Sequence, residues 1–246
     1  MGLVADVFKV LVVASNGDVL ATDTLSDAGI VSEVTKNDVV GGASEGLIAV
    51  LHGRRDTNIT LTDPVWNMEN LALHLGQDIV VGAGEAYKMP SWKTVVDNMG
   101  TMEITLDEAP LTDSLKLYTD AGTRISAFTV SGTKVTITET GIAAGDKVEV
   151  RTYKYTTSAQ SETLEIDIAK FPKDAKIILE TLEIDEDEQP LATLQYQFDR
   201  VKPDANFSIN TATAREASNT ESAFRVMKPK DSTVVGRLIR IPFEAA

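Results

Sequence analysis

Asn58–Gly76, NITLTDPVWNMENLALHLG, decides the fold class. Asn58–Thr62 alternates apolar and polar residues, with Ile59 and Leu61 on one side, as a half-buried strand does. Asp63 then offers an acceptor side chain at an N-cap, and Pro64 lacks an N–H where none is needed. Val65, Met68, Leu71, Ala72 and Leu75 recur at helical spacing, and Gly76 supplies the stop. A helix over about 63–76 is expected. Nothing else reads so clearly as a helix, so it should lie across the open end or face of a β-sheet.

Upstream, Val4–Ala14 and Val19–Thr22 flank Ser15-Asn16-Gly17-Asp18, and Asn-Gly is the strongest short hairpin signal. Val31–Thr35 reads as a short strand. Lys36–Asp56, KNDVVGGASEGLIAVLHGRRD, is rich in Gly and charge and reads as a long loop. Within it, Leu47–Leu51 either pairs as a strand or folds only against a partner subunit.

Downstream, short alternating runs and closely spaced turn signals over Thr101–Thr156 fit a small β-sandwich. Leu164–Ile168 reads as a strand. Lys176–Ile184 and Leu191–Arg200 flank an acidic turn, Asp185-Glu186-Asp187-Glu188-Gln189-Pro190. Asn206–Thr211, Ala223–Lys228 and Val234–Pro242 supply three more strands. The expected organisation is a β-rich core with one helix from residues 1–100 and 157–246, with 101–156 inserted into it as a small β-sandwich.

Hydrophobic residues make up 43% of the 246, enough for a real core. There is no cysteine, so disulfides and thiolate chemistry are excluded. With 37 acidic and 23 basic residues the net charge is −14, the opposite of a nucleic-acid binder's footprint, and it disfavours anionic membranes. Met1–Asp18 has no basic start and a period closer to two than to a helix, so it does not read as a signal peptide, and no run approaches a membrane span.

The candidate chemistries each give way to a plainer reading. Val80-Val81-Gly82-Ala83-Gly84-Glu85 would need a third glycine at Tyr87, and Pro90 blocks the helix that should follow. Gly41–Gly46 lacks the Lys-Ser/Thr of a P-loop. His52 lies beside Arg54 and Arg55, and His74 in the helix's last turn, where a partly cationic imidazole would suit the dipole. Neither carries a catalytic or zinc motif. Asp185–Glu188 lacks the ligand spacing of a Ca²⁺ loop and reads as a solvated hairpin tip. Asp107 and Glu108 have no partner marking a glycosidase pair. Tyr153, Tyr155 and Phe128 could stack sugars, but such residues more often fill a sandwich core. No catalytic, cofactor-binding or metal site is expected, and no enzyme.

Several of these stretches together resemble the major tail protein (tail tube protein) of long-tailed bacteriophages. They are VFKVLVVASNGDVLATDTL at Val7–Leu25, GGASEGLIAVLHGRRD at Gly41–Asp56, ITLTDPVWNMENLALHLG at Ile59–Gly76, and the end from Glu180 to Pro242. The insert, with DEAPLTDSLKLYTDAGTRISAFTVSGTKVTI and AAGDKVEVRTYKY, is similar to Ig-like or other β-sandwich modules that decorate phage structural proteins. The resemblance implies a mainly β fold, a β-sandwich or half-barrel with a flanking helix. It also implies hexameric rings stacking into a tube through which DNA passes without specific binding. Partners would be further copies and other tail proteins, with no membrane and no cofactor. The place would be the virion, after synthesis in the host bacterial cytoplasm.

On that reading, Asn37, Asp38, Gly41, Gly42, Leu47, Leu51, Arg54 and Arg55 form the loop that contacts neighbouring subunits or rings. Ser161–Arg200 carries 11 acidic and 4 basic residues, half the chain's excess. Glu180, Glu183, Asp185 and Asp199 are its candidate lumen face, where carboxylates would repel phosphates. The alternatives are another virion component, capsid or decoration, and a carbohydrate- or cell-surface-binding β-module.

Overall fold

A computed structural model describes residues 2–41, 46–207 and 219–243. The first hairpin joins β1 (Leu3–Ala14) to β2 (Val19–Thr22) through the Asn-Gly turn, with Gly17 at φ 95°. Then β3 (Asp27–Gly41) and β4 (Gly46–Asp63) form a much longer hairpin, followed by α1 (Met68–Leu75). A run of short strands comes next: β5 (Val80–Val81), β6 (Glu85–Tyr87), β7 (Ser91–Thr94), β8 (Val96–Asn98), β9 (Thr101–Thr105) and β10 (Lys116–Thr119). It continues through β11 (Arg124–Ile125), β12 (Phe128–Ser131), β13 (Lys134–Ile137), β14 (Lys147–Thr152), β15 (Lys154–Thr156) and β16 (Glu162–Thr163). Longer strands close the chain: β17 (Ala175–Ile184), β18 (Pro190–Pro203), β19 (Thr220–Val226) and β20 (Arg237–Pro242). The fold is mainly β, with a single helix among the described residues, as the sequence implies.

Two compact units result, one from Met1–Ile79 with Leu164–Ala246 and one from Val80–Thr163. In the first, an antiparallel sheet runs β2-β1-β17-β18-β19-β4-β3, with β20 against the N-terminal half of β18. Val10 of β1, Ile177 and Leu179 of β17, Phe198 of β18, and Ile59 of β4 share one buried cluster. β1 also approaches β3 from the other end of the sheet, so the sheet curls over its apolar face.

The helix begins later than expected. Asn67, not Asp63, is the N-cap, its side chain accepting from the Glu69 N–H at 2.8 Å. Asp63 ends β4 instead. Its carboxylate accepts from the Thr22 and Thr24 hydroxyls (2.9 and 2.8 Å) and from the Val65 N–H (2.9 Å), tying strand to turn. Gly76 is the left-handed C-cap at φ 68°, and a Cβ there would stand 2.1 Å from the Phe171 carbonyl oxygen, so only glycine fits. The buried residues of α1 are Ala72 and His74, with Leu73 packed on the core. His74 is 3% exposed; its Nδ1 donates to the Asp204 carbonyl at 2.6 Å, and its ring tilts on Phe224. Burial lowers its pKa, outweighing the carbonyl contact, so the imidazole is neutral here rather than a cation at the dipole end.

Two expected elements change character. Lys36–Asp56 is paired strand on both sides of residues 42–45, not loop. Its valines, isoleucine and leucines suit a pleated ladder, and Gly41 and Gly46 form its last described pair. Leu164–Ile168 is not a strand: pairing stops at Thr163, leaving Ile168 95% exposed. The expected strand Asn206–Thr211 lies mostly outside the described residues.

The second unit is a sandwich of two four-stranded sheets, β11-β10-β14-β7 and β12-β13-β9-β8. Its core includes Ile104, Leu117, Val135, Val148, Val150 and Tyr153, with Phe128 and Tyr155 packed against it. The unit runs from Val80 to Thr163, past residues 101–156 at both ends. Ser91–Thr94 pairs with Lys147–Val150, and Val80–Val81 pairs with Glu162–Thr163.

Candidate assembly surface

The β3–β4 hairpin has two halves. At its root, Thr57, Ile59, Leu61 and Asp63 are buried in alternation. Beyond Asp56 every described residue of β4 is exposed, and β3 is exposed from Thr35 to Val40. Residues 35–41 span about 24 Å at a strand's rise, so this arm stands well clear of the core. The ladder continues along it: Asn37 faces Leu51, Asp38 faces Val50, Val40 faces Leu47 and Gly41 faces Gly46. Ile48 is the extra residue of a bulge, 67% exposed.

Alternation sends Leu51, Val39 and Ala49 to one side of the ribbon, and Val50, Val40 and Leu47 to the other. Both faces are therefore apolar and both are bare. An isolated two-stranded ribbon is marginal in water at best. Fully burying a Leu or Ile is worth about 1.5–3 kcal/mol, so Val40, Leu47, Ile48 and Leu51 offer on the order of 6–12 kcal/mol to a partner, before association costs.

Charge marks the arm's base. Arg55 faces Val34, and Arg54 meets Asp56 at 2.6 Å. Arg225 of β19 reaches the same carboxylate at 3.1 Å, and its hydrogen bond, helped by Arg54, holds Asp56 below the usual carboxylate range. Of the expected contact residues, Asn37, Asp38, Gly41, Leu47, Leu51, Arg54 and Arg55 thus lie on one projecting hairpin. Gly42 lies outside the described residues.

The four acidic candidates do not gather on one face. Glu180 shares the outward parity of β17 with Lys176, which pairs with Asp199 at 3.1 Å. Glu180 sits opposite Lys9 of β1 and accepts from the Gln195 amide at 3.1 Å. Glu183 has the other parity and is paired with Arg240 of β20. Asp185 is occupied in its turn, accepting from the Asp187 and Gln189 N–H groups at 2.9 and 2.8 Å.

Other exposed apolar side chains escaped the sequence reading. Ile166, Ile168 and Phe171 lie on the unpaired run after β16, and Leu238, Ile239 and Ile241 on β20. Their alternating pattern reads as ordinary strand, and nothing in it separates a buried strand from a bare one. A groove of about 600 Å³ opens between α1 and the first hairpin, lined by apolar Val12, Leu20 and Leu73 and by Asp18, Glu69, Asp78 and Asp174 with one cation, Lys173.

Among the described residues, no group of three or more His, Asp or Glu side chains is placed to hold a metal, and no helix is long and apolar enough to cross a membrane. A family model described as the YomU/Tube protein family matches residues 2–241. No curated protein matches the chain. The chain belongs to the YomU/Tube protein family, whose name points to a structural tube protein of a phage tail.

Proposed function

From that membership and from the bare arm, we propose that the chain is the self-assembling subunit of a phage tail tube, forming rings, hexameric by resemblance, that stack around a DNA channel. The single observation that carries the self-assembly is the β3–β4 arm: ordered ladder, no third layer, apolar on both faces. A neighbouring copy supplies what the ribbon lacks. The groove beside α1 is a suitable receptor, since its apolar lining and its excess of carboxylates complement Leu47–Leu51 and Arg55. Glu180 and Asp199 share one sheet face with Lys9 and Lys176, and we assign this face to the lumen, where its carboxylates would repel phosphates and paired lysines would hold them only weakly. No role in catalysis is assigned to any residue.

Negative-stain electron microscopy with light scattering across a concentration series tests this. Wild-type protein should form rings or tubes with a central channel, and Leu47→Ser/Leu51→Ser should remain a folded monomer. A wild type that assembles no better than this variant would overturn the role of the arm.

A further inference from the structure

The outer face of the second unit's β11-β10-β14-β7 sheet is unlike the rest of this acidic chain. Leu117, Val148 and Val150 point inward, so alternation sends Lys116, Tyr118, Lys147, Glu149 and Arg151 outward. One register row crosses all four strands: Arg124 faces Tyr118, Tyr118 faces Glu149, and Glu149 faces Trp92. Four cations, Lys116, Arg124, Lys147 and Arg151, thus share a face with one carboxylate, in a protein of net charge −14.

Two features make this face a binding platform. Arg151 is held in place: its guanidinium carbon lies 3.6 Å from the centroid of the Tyr118 ring, and its Nη2 and Nε meet Glu149 at 2.6 and 3.2 Å. Its remaining N–H groups form a pre-set fork of the kind that binds carboxylate or phosphate. Diagonal to it, opposite Glu149 on the neighbouring strand, Trp92 is 55% exposed and presents a flat apolar ring to solvent. Trp92 and the Arg151-covered Tyr118 stand two strands apart, about 10 Å, with Glu149 between them in the row.

We propose that this face binds an acidic polysaccharide, with Trp92 stacking on the apolar face of a pyranose and Arg151 pairing with a neighbouring carboxylate or phosphate. Stacking selects the ring and the fork selects the charge, so neither a neutral glycan nor a ring-free polyanion satisfies both. Nucleic acid fits less well, because its long run of phosphates would need an extended basic track, and this patch is four strands wide with Glu149 at its centre. The inference is independent of the tube reading and concerns a different unit of the chain.

The test titrates the full chain by tryptophan fluorescence and affinity gel electrophoresis. The probes are polygalacturonate and a phosphomannan, with dextran, polyglutamate and a thirty-residue oligo-dT as controls. Binding to at least one acidic glycan is expected, weakening with salt, and absent with the three controls. Trp92→Ala and Arg151→Gln, both surface changes, should each weaken it roughly tenfold or more, while Trp66→Phe leaves it unchanged. Binding to neither acidic glycan, equal binding to a control, or full retention in Trp92→Ala and Arg151→Gln would overturn the proposal.

Discussion

The two halves of β4 share a strand, a partner and a ladder, yet they live in different surroundings. From Thr57 to Asp63 alternate residues are buried, because β19 lies on the other edge and the core lies beneath. From Gly46 to Arg55 nothing is buried, although the pairing with β3 continues. Backbone pairing is thus satisfied by two strands alone, whereas burial needs a third layer. The first unit provides that layer for the root only. On the proposed function, the arm's apolar residues are half of an interface whose other half is a second copy.

The sharpest contrast is between two isoleucines of this strand. Ile59 is fully buried, and Ile59→Ala should cost about 2–5 kcal/mol in urea unfolding of the unassembled protein. Ile48→Ala, on the arm, should stay within about 0.5 kcal/mol of wild type. Similar losses at both sites would break the division into root and arm.

A smaller effect separates the root's surroundings by pH. His74 supports the core beside Phe224, and burial holds its folded-state pKa below the ordinary imidazole value of about 6.5. The unfolded chain takes up that proton first, so this contribution is complete above pH 6.5 and is lost as pH falls through the folded-state pKa. Unfolding free energy measured from pH 7.5 to 5 should decline, and His74→Gln should flatten that decline. An unchanged slope in the variant would assign the decline to other groups.

What the sequence could and could not convey follows from the same physics. The first hairpin was legible because Asn16-Gly17 fixes its turn locally, and the strands of the sandwich because turn residues punctuate them. The helix start was not, because Asp63 has the chemistry of a cap while its carboxylate is taken by Thr22 and Thr24, some forty residues away in the chain. The arm looked like a loop because its charge and glycines mask a period of two. The four carboxylates share an acidic stretch but not a face, because Glu180 and Glu183, three apart on one strand, point to opposite sides, and only the structure shows Arg240 of β20 taking up Glu183. Trp92 and Arg151 went unnoticed, since only register brings 92, 118, 149 and 151 together.

Hydrogen–deuterium exchange, comparing free subunit with assembled protein, tests the central claim most directly. Amides of Ile59 and Leu61 should be protected in both states. Those of 36–41 and 47–55 should exchange rapidly in the free subunit and slow by orders of magnitude on assembly. Arm amides that exchange equally fast in assembled rings or tubes would contradict the account, because the arm would then have found no third layer.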